Sequence, residues 1–431
     1  MMSNPKNNLL KLLVIIPFVI FFAVLYWNGA KMQLVGVNTN MGATDQSAYM
    51  DFAQRMYESG YTYLGGYNRM PVYPFLQSLF YHPGLSNELF FEQGKYRNIF
   101  LSFGILFSFF FIFRHYFSWL QAFTLTSITA FTIFIFKAGF FQTELLYYFI
   151  NFILFLLMWR LMKQLSWRLA ILMGIVAGLA HLTKASVLPG LLLFITLAMI
   201  KWSWVWYQDR KIPNTSNEGR LSLTQVLMLP LIGVLFLMII SPYILTSKRV
   251  FGHYFYNVNS TFYMWYDSWE EATAGTKAHG DRVGWPDMPA EDIPSMGKYL
   301  QEHTVAQIAT RFLRGGWDMF VDAGTSYGYA KYVLLYIFIC ALTIYRFREK
   351  AYLAVKRNPF LSLFLALYFA GYLTLYAWYY PIVRGNRLIL SQFLPFMFTL
   401  SMGLSILLRS SYIRIKRYSI WLELCYRTKS S

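Results

Sequence analysis

Long apolar runs dominate the chain, and short connections rich in Lys and Arg separate them. A helix that crosses a bilayer needs about 20 mostly apolar residues. The pattern therefore predicts an all-α polytopic membrane protein with about ten transmembrane helices. The fifth and sixth are short and form either a tight hairpin or a re-entrant pair around residues 181–184. The predicted spans are 9–29, 97–114, 116–136, 139–159, 167–183, 185–201, 222–246, 331–346, 359–380 and 387–409.

Lys and Arg alternate in density along the connections, which predicts an orientation because cytoplasmic connections are enriched in these residues. With the N-terminus inside, the inner connections and the tail at 409–431 are strongly basic. An even number of spans places both termini in the cytoplasm. The short outer connections hold few basic residues, namely Lys137, Lys184, Arg384 and Arg387.

Two loops on the predicted outer face are large, at 30–96 and 247–330, and they hold 15 of the 20 acidic residues. The non-membrane chemistry is therefore expected on the extracytoplasmic face. Apolar residues at helical spacing predict amphipathic helices at 45–59 and 295–312, which suit a membrane surface. The Gly- and Pro-rich segment 267–294 is typical of a flexible lid or a disordered loop.

Composition supports the membrane class, because only 13% of the residues are charged, against about 25% in an average soluble domain. The net charge of +18 is explained by basic residues at span ends, so no nucleic-acid partner is expected. Cys340 lies in an apolar run and Cys425 in the basic tail, which does not favour a disulfide. The apolar run 12–26 reads as an uncleaved first span, since it shows no clear signal-peptide cleavage site.

Two carboxylates are candidates for catalysis. Asp45 follows the first span at the start of a predicted helix, where it is either a general base or a helix cap. Glu144 lies in an otherwise apolar stretch near the outer end of the fourth span. A charge at membrane depth usually faces a cavity or a partner, so Glu144 either serves function or pairs with Lys137. Asp51 lies one and a half turns beyond Asp45 and is expected to be structural.

Four basic residues on the predicted outer face run against the usual charge distribution. A guanidinium or ammonium group there suits the phosphate of an anionic ligand. Contact with lipid headgroups is the other interpretation. His181 is expected to be a hydrogen-bonded structural residue. The four basic candidates are Arg69, Lys184, Arg384 and Arg387.

These residues, in this order along the chain, resemble the membrane-embedded glycosyltransferases of the GT-C superfamily, such as protein O-mannosyltransferases and bacterial aminoarabinose transferases. The resemblance spans most of the chain through short motifs. Asp45 in ATDQSAY matches the acidic residue of the first outer loop, and Glu144 in QTELLYY matches a second acidic position. Arg69 in NRMPVYP and Arg387 in RLILSQFLP match the basic positions. The family often pairs two acidic residues in the first loop, whereas Gln46 follows Asp45 here.

The resemblance implies transfer of a sugar from a polyprenyl-phosphate donor to a lipid, glycan or protein acceptor, with inversion at the anomeric carbon. It implies that Asp45 is the base and that the basic residues bind the donor phosphate. It places the protein in a bacterial cytoplasmic (inner) membrane, with the active site on the extracytoplasmic side. No cofactor is assigned with certainty, and a divalent metal stays open. The alternatives are a transporter or flippase of a lipid-linked sugar, and a polymerase or ligase of surface polysaccharide.

Overall fold

The computed structural model describes residues 5–211, 227–325, 329–385 and 387–408. Within these ranges every regular element is helical, so the predicted all-α class is confirmed. The predicted basic tail at 409–431 lies outside the described residues.

The first half of the chain forms nine helices in the described residues, with π-helical turns at Gln33–Val37 and Ala130–Phe134 and a 3₁₀ turn at Ala185–Val187. The helices are α1 Pro5–Met32, α2 Gln46–Glu58, α3 Val72–Ser78, α4 Asn87–Tyr116, α5 Trp119–Thr129, α6 Ile135–Lys137, α7 Glu144–Lys163, α8 Trp167–Thr183 and α9 Leu188–Lys211.

The second half contributes a further ten helices in the described residues, several of them short, together with a 3₁₀ turn at Tyr263–Trp265. They are α10 Met228–Phe251, α11 Val258–Thr261, α12 Trp269–Ala274, α13 Met296–Glu302, α14 Val305–Thr325, α15 Tyr329–Arg346, α16 Arg348–Arg357, α17 Pro359–Tyr379, α18 Arg387–Leu390 and α19 Phe393–Leu408.

Seven helical segments of the described chain are long and apolar enough to cross a membrane, which makes the chain a multi-pass membrane protein. Three shorter apolar helices, Trp167–Thr183, Leu334–Arg346 and Phe393–Leu408, coincide with other predicted spans. The total of ten spans and their orientation stay predictions. The seven long segments are Ile16–Val37, Asn87–Tyr116, Trp119–Lys137, Glu144–Lys163, Ala185–Gln208, Met228–Phe251 and Pro359–Tyr379.

Capping residues explain where several helices begin. Ser86 accepts a hydrogen bond from the backbone N–H of Leu89 (3.2 Å), so α4 starts ten residues before the predicted span. Ser118 and Gln121 form a reciprocal capping box at the start of α5. Serine and threonine caps of this kind satisfy backbone N–H groups that the first turn cannot pair internally.

The described residues divide into two compact units. The first holds the residues up to Met50 together with Tyr81–Leu145. The second holds Asp51–Phe80 and the described residues from Leu146 onward.

Aromatic packing organises the first unit around α1, α4 and α5. The ring of Tyr26 is buried, and its hydroxyl donates a hydrogen bond to the Ser102 hydroxyl (2.8 Å). Its ring meets Phe103 edge-on at 5.0 Å between centroids. The polar end of a buried tyrosine is thereby satisfied while its ring fills the interior.

In the second unit, α8 and α10 pack closely through two glycines of α8. A Cβ on Gly174 would lie 2.6 Å from Cβ of Leu235, and one on Gly178 would lie 2.6 Å from Cβ of Ile239. Small residues four positions apart let helix backbones approach closely within a membrane.

Replacing Gly178 with leucine should destabilise the protein by about 1–3 kcal/mol, because overpacking forces the two helices apart. The measurement is the apparent melting temperature of the purified protein in detergent. Gly233→Leu is the matched control, because a Cβ at Gly233 of α10 meets nothing within 4 Å. Equal melting temperatures for the Gly178→Leu and Gly233→Leu proteins would show that this contact does not limit stability.

Candidate functional site

The loop between α1 and α2 and the loop that precedes α7 are joined by a buried polar network in the first unit. Gln46, the first residue of α2, is completely buried and occupies its centre. Its amide nitrogen donates to the Asn38 side-chain oxygen (2.7 Å) and to the carbonyls of Asn40 (3.3 Å) and Ala43 (3.4 Å). Its amide oxygen accepts from the Asn38 side-chain nitrogen (3.0 Å) and from the backbone N–H of Phe141 (2.8 Å). The one side chain thus ties together segments 95 residues apart.

A buried lysine supports the same loop from α4. Lys95 is 2% exposed, and its ammonium donates to the carbonyls of Asn38 (3.0 Å) and Leu34 (3.5 Å). The ammonium also lies 4.5 Å from the centroid of the Phe91 ring. Backbone carbonyls and a ring face offset part of the cost of burying the charge.

The loop before α7 is held by amide side chains. Asn98 of α4 is buried, and its side-chain nitrogen donates to the carbonyls of Phe140 and of Gln142. The Gln142 side chain in turn donates to the Thr44 hydroxyl (2.5 Å). Thr44 has a φ of 59°, an uncommon value for a residue with a side chain. The network therefore fixes an otherwise unfavourable turn immediately before α2.

Both candidate carboxylates are adjacent to this network. Asp45 is half-buried and directly precedes Gln46. Glu144 begins α7 and is 3% exposed, two residues after Gln142. Chain neighbours of both predicted carboxylates are thus hydrogen-bonded within one unit. This anchoring restricts where each carboxylate can lie, which is what acid–base chemistry requires.

The four basic candidates belong to the second unit, where chain neighbours of three of them pack into one buried aromatic cluster. This cluster combines the Arg69 loop, the end of α10 and the loop that follows α10. Its buried members are Tyr67, Met70, Tyr243, Phe251, Tyr256, Val258, Phe262, Tyr263, Ala272 and Ile382.

Arg69 and Arg384 each adjoin this aromatic cluster along the chain. Arg69 directly precedes the buried Met70, and its guanidinium donates to the Asn68 carbonyl (3.0 Å). Arg384 is exposed and follows Val383, which packs against the cluster. The packing of the neighbouring residues Met70 and Val383 therefore fixes the backbone from which each arginine side chain extends.

Lys184 lies at the break between α8 and the following 3₁₀ turn, where its backbone is extended (φ −160°, ψ 122°). Its neighbours Leu182 and Ala185 pack against the aromatic cluster. Its ammonium lies 5.2 Å from the centroid of the Tyr147 ring, a favourable cation–π position.

Tyr148, the residue after Tyr147 in α7, binds the backbone of Arg387. The hydroxyl of Tyr148 donates to the carbonyl of Arg387 (3.5 Å), and the rings of Tyr147 and Tyr148 are 6.1 Å apart. Lys184 and Arg387 thus contact consecutive residues of α7, although 203 positions separate them in sequence.

The residues that hold the candidates were not predicted from the sequence. Lys95 lies two residues before the span predicted at 97–114 and Asn98 lies within it, whereas α4 includes both. Gln46 follows Asp45 directly and Asn38 lies seven residues before it, but no local sequence pattern marks either residue. Lys95 and Asn98 are three residues apart at the start of an apolar run. That spacing places both on one face of a helix, and it was the sequence signal for a buried polar stripe.

The second large loop is folded, whereas a flexible lid or disordered segment was expected at 267–294. Thr276 and Asp281 are fully buried, and the Tyr263 hydroxyl donates to the Asp281 carboxylate (3.2 Å). Burial raises the pKa of Asp281, despite the opposing hydrogen bond from Tyr263. The Gly- and Pro-rich composition here builds tight turns around buried side chains.

A buried arginine anchors this loop to two helices. Arg311 of α14 is 7% exposed and donates to the Asp267 carboxylate (2.8 Å) and to the carbonyls of Met264 (3.2 Å) and Trp378 (3.1 Å). Its guanidinium also lies over the Tyr299 ring at 5.0 Å. Arg311 has therefore exchanged water for protein partners and fixes the loop in place.

Asp267 also binds His303, the residue that follows α13. His303 Nε2 lies 2.8 Å from Asp267 Oδ2, and its ring stacks on Tyr299 at 3.8 Å. Burial raises the Asp267 pKa, yet hydrogen bonds from Tyr299 and His303 and the charges of His303 and Arg311 leave it below its usual value. Burial lowers the His303 pKa, but Asp267, the Tyr299 carbonyl and the charge of Glu302 leave it raised.

These shifts predict a pH dependence. A raised His303 pKa gives a stabilisation that is complete below about pH 6.5. It is lost as pH rises through the folded-state pKa. The depressed Asp267 pKa gives a stabilisation present above about pH 4 and lost on further acidification. Because the pair is partly solvent-screened, the effect is below about 1 kcal/mol.

The measurement is the melting temperature of wild type and His303→Gln in detergent at pH 5.5 and pH 8.5. The wild type should lose more stability than His303→Gln on alkalinisation. An identical pH response in both proteins would contradict the assignment.

A cavity of about 460 Å³ opens beside Asp267. Its size is in the range of small-molecule pockets, which are about 300–1,000 Å³. Its charged groups already pair with each other, since the Lys298 ammonium lies 3.8 Å from carboxylates of Asp292 and Glu302. The lining residues are Trp265, Tyr266, Asp267, Glu271, Ala274, Gly275, Asp292, Pro294, Ser295, Lys298, Tyr299, Glu302 and His303.

Neither a metal site nor a similarity to known proteins assigns a further role to these residues. In the part of the chain that the structure describes, no group of three or more His, Cys, Asp or Glu side chains is placed to hold a metal ion. No protein-family model, no curated protein and no solved structure matches the chain.

Proposed function

We propose that this protein is a membrane glycosyltransferase that moves a sugar from a polyprenyl-phosphate donor to a hydroxyl- or amine-bearing acceptor. The observation that carries the proposal is that the Lys184 ammonium and the backbone carbonyl of Arg387 contact consecutive tyrosines of α7. Two basic residues near the first turn of an apolar helix suit a phosphate attached to a lipid tail. The apolar helices offer a surface along which the lipid tail can lie.

The proposed reaction is a single displacement at the anomeric carbon. The acceptor oxygen or nitrogen forms the new bond to that carbon, and its proton passes to Asp45. The bond from the anomeric carbon to the phosphate oxygen breaks, and polyprenyl phosphate leaves with the electron pair. Attack opposite the leaving group inverts the anomeric centre.

Arg387, Lys184, Arg69 and Arg384 stabilise the negative charge that grows on the leaving phosphate. Such electrostatic stabilisation is usually the largest single contribution to catalysis. Glu144 is assigned to the acceptor side as the second carboxylate. The distribution of Lys and Arg along the sequence supports cytoplasmic termini and an extracytoplasmic reaction. The resemblance to the GT-C superfamily implies a bacterial inner membrane.

The experiment is reconstitution of the full chain in liposomes with a polyprenyl-phosphate donor carrying a labelled sugar, plus a membrane extract as acceptor. The expected result is labelled acceptor together with an equal amount of free polyprenyl phosphate. Passage of the intact donor across the bilayer without sugar transfer would contradict the proposal and support a transporter. Incorporation only of preassembled glycans would support a polymerase or ligase.

Arg387→Gln should lower the rate of transfer by about 10²–10³, the usual cost of removing one stabilising donor from a site of charge development. Arg357→Gln is the matched control, because Arg357 is an exposed arginine at the end of α16. A folded Arg387→Gln protein that transfers sugar at the wild-type rate would remove Arg387 from the site.

A further inference from the structure

We infer that α14 lies along the bilayer surface, with one apolar face in contact with lipid. Helix α14 belongs to the second large loop, and the lipid bilayer is the partner of its apolar face whatever reaction the protein performs.

The inward face of α14 packs against the end of a candidate span. Arg311, Gly315 and Met319 recur every four residues and are buried. A Cβ on Gly315 would lie 2.0 Å from the carbonyl oxygen of Ala377, so α14 contacts the last turn of α17 directly. Because α17 is one of the seven helices able to cross a membrane, this contact places α14 at a membrane boundary.

The outward face is apolar and fully accessible. Leu313 is 76% exposed, Trp317 65% and Phe320 58%, and Val321 continues the same stripe. These positions repeat at intervals of three and four residues, so they share one side of the helix. Large exposed apolar stripes of this kind mark interaction surfaces rather than water-facing ones.

The stripe continues onto a neighbouring helix, which identifies lipid as the partner. Helix α15 packs against α14 and contains the apolar segment Leu334–Arg346. It exposes Leu334 (52%) and Phe338 (61%). A surface shared with an apolar helix of a membrane protein is expected to meet the same acyl chains.

Charged residues argue that α14 lies on the membrane rather than crossing it. Arg311, Arg314, Asp318 and Asp322 all fall within its 21 residues. A polar side combined with an apolar side rich in Trp, Phe and Leu is the pattern of an interfacial helix. Since Arg311 also binds Asp267, α14 would hold the folded second loop at the membrane surface.

The test places one nitroxide label on α14 of the full chain in liposomes. Leu313→Cys is labelled after Cys340 and Cys425 have been replaced by alanine. Accessibility to oxygen, which concentrates in lipid, is compared with accessibility to a water-soluble nickel chelate. Leu334→Cys on α15 is the lipid reference, and Glu270→Cys on the exposed helix α12 is the water reference.

The oxygen-to-nickel accessibility ratio at 313 should match that at 334 and exceed that at 270. A ratio matching position 270 would overturn the inference. Low accessibility to both reagents together with dipolar coupling between labels would also overturn it, because that result indicates a second copy of the chain on this face. Phe320→Cys repeats the measurement on the same stripe if the 313 variant does not fold.

Discussion

Replacing Gln46 with leucine should cost about 2–5 kcal/mol of folding free energy, because the change orphans buried polar groups. Gln46 makes five hydrogen bonds to Asn38, Asn40, Ala43 and Phe141. Leucine fills a similar volume and can make none of them. The backbone N–H of Phe141 and the side chain of Asn38 would then lose partners while excluded from water.

The measurement is thermal unfolding in detergent together with the yield of monodisperse protein. Gln93→Leu is the matched control, because Gln93 is an exposed residue of α4 with a surface hydrogen bond from Arg97. Gln46→Glu should fall between wild type and Gln46→Leu, since a carboxylate accepts the two incoming bonds but cannot donate. Wild-type stability of Gln46→Leu would show that the network does not hold the two loops.

Replacing Asp45 with asparagine should lower sugar transfer by about 10²–10⁴, the usual contribution of a positioned general base. Asparagine keeps the shape of the side chain but does not accept a proton at neutral pH. The fold should survive, because the substitution keeps the five hydrogen bonds of Gln46 and exchanges one carboxylate oxygen for an amide nitrogen. The measurement is the initial rate of labelled-sugar transfer in liposomes, with circular dichroism and melting temperature as tests of folding.

Asp51→Asn, in the helix α2 that Asp45 precedes, provides the control. Asp51 is exposed, and its carboxylate accepts from Arg55 (2.9 Å) on the surface of α2. That variant should transfer at close to the wild-type rate. A well-folded Asp45→Asn protein with wild-type transfer would exclude Asp45 as the base.

The apolar runs in the sequence predicted most of the long helices, because a run of about 20 apolar residues is a local signal that needs no distant contact. The amphipathic pattern at 45–59 is confirmed by α2 at Gln46–Glu58. The helix predicted at 295–312 is wrong as a single element, since α13 and α14 are separated at His303 and Thr304. His303 has an extended backbone and binds Asp267. Thr304 and Gln307 then form a capping box that starts helix α14.

The candidate site was predicted as separate charged residues and not as an arrangement. Asp45 and Glu144 stood out because charge is rare in apolar surroundings. Gln46 and Lys95 did not, because their partners are distant in sequence and no local period marks them. The contacts of Lys184 and Arg387 with consecutive tyrosines likewise depend on how distant helices pack.

The most direct test of the account is a structure of the protein with polyprenyl phosphate bound in a lipid environment. The account predicts that a phosphate oxygen lies about 2.7–2.9 Å from a nitrogen of Arg387 or Lys184, as in charge-assisted hydrogen bonds. Its lipid tail should run along apolar helices. A bound phosphate held by other residues, with Arg387 and Lys184 both out of reach, would contradict the account.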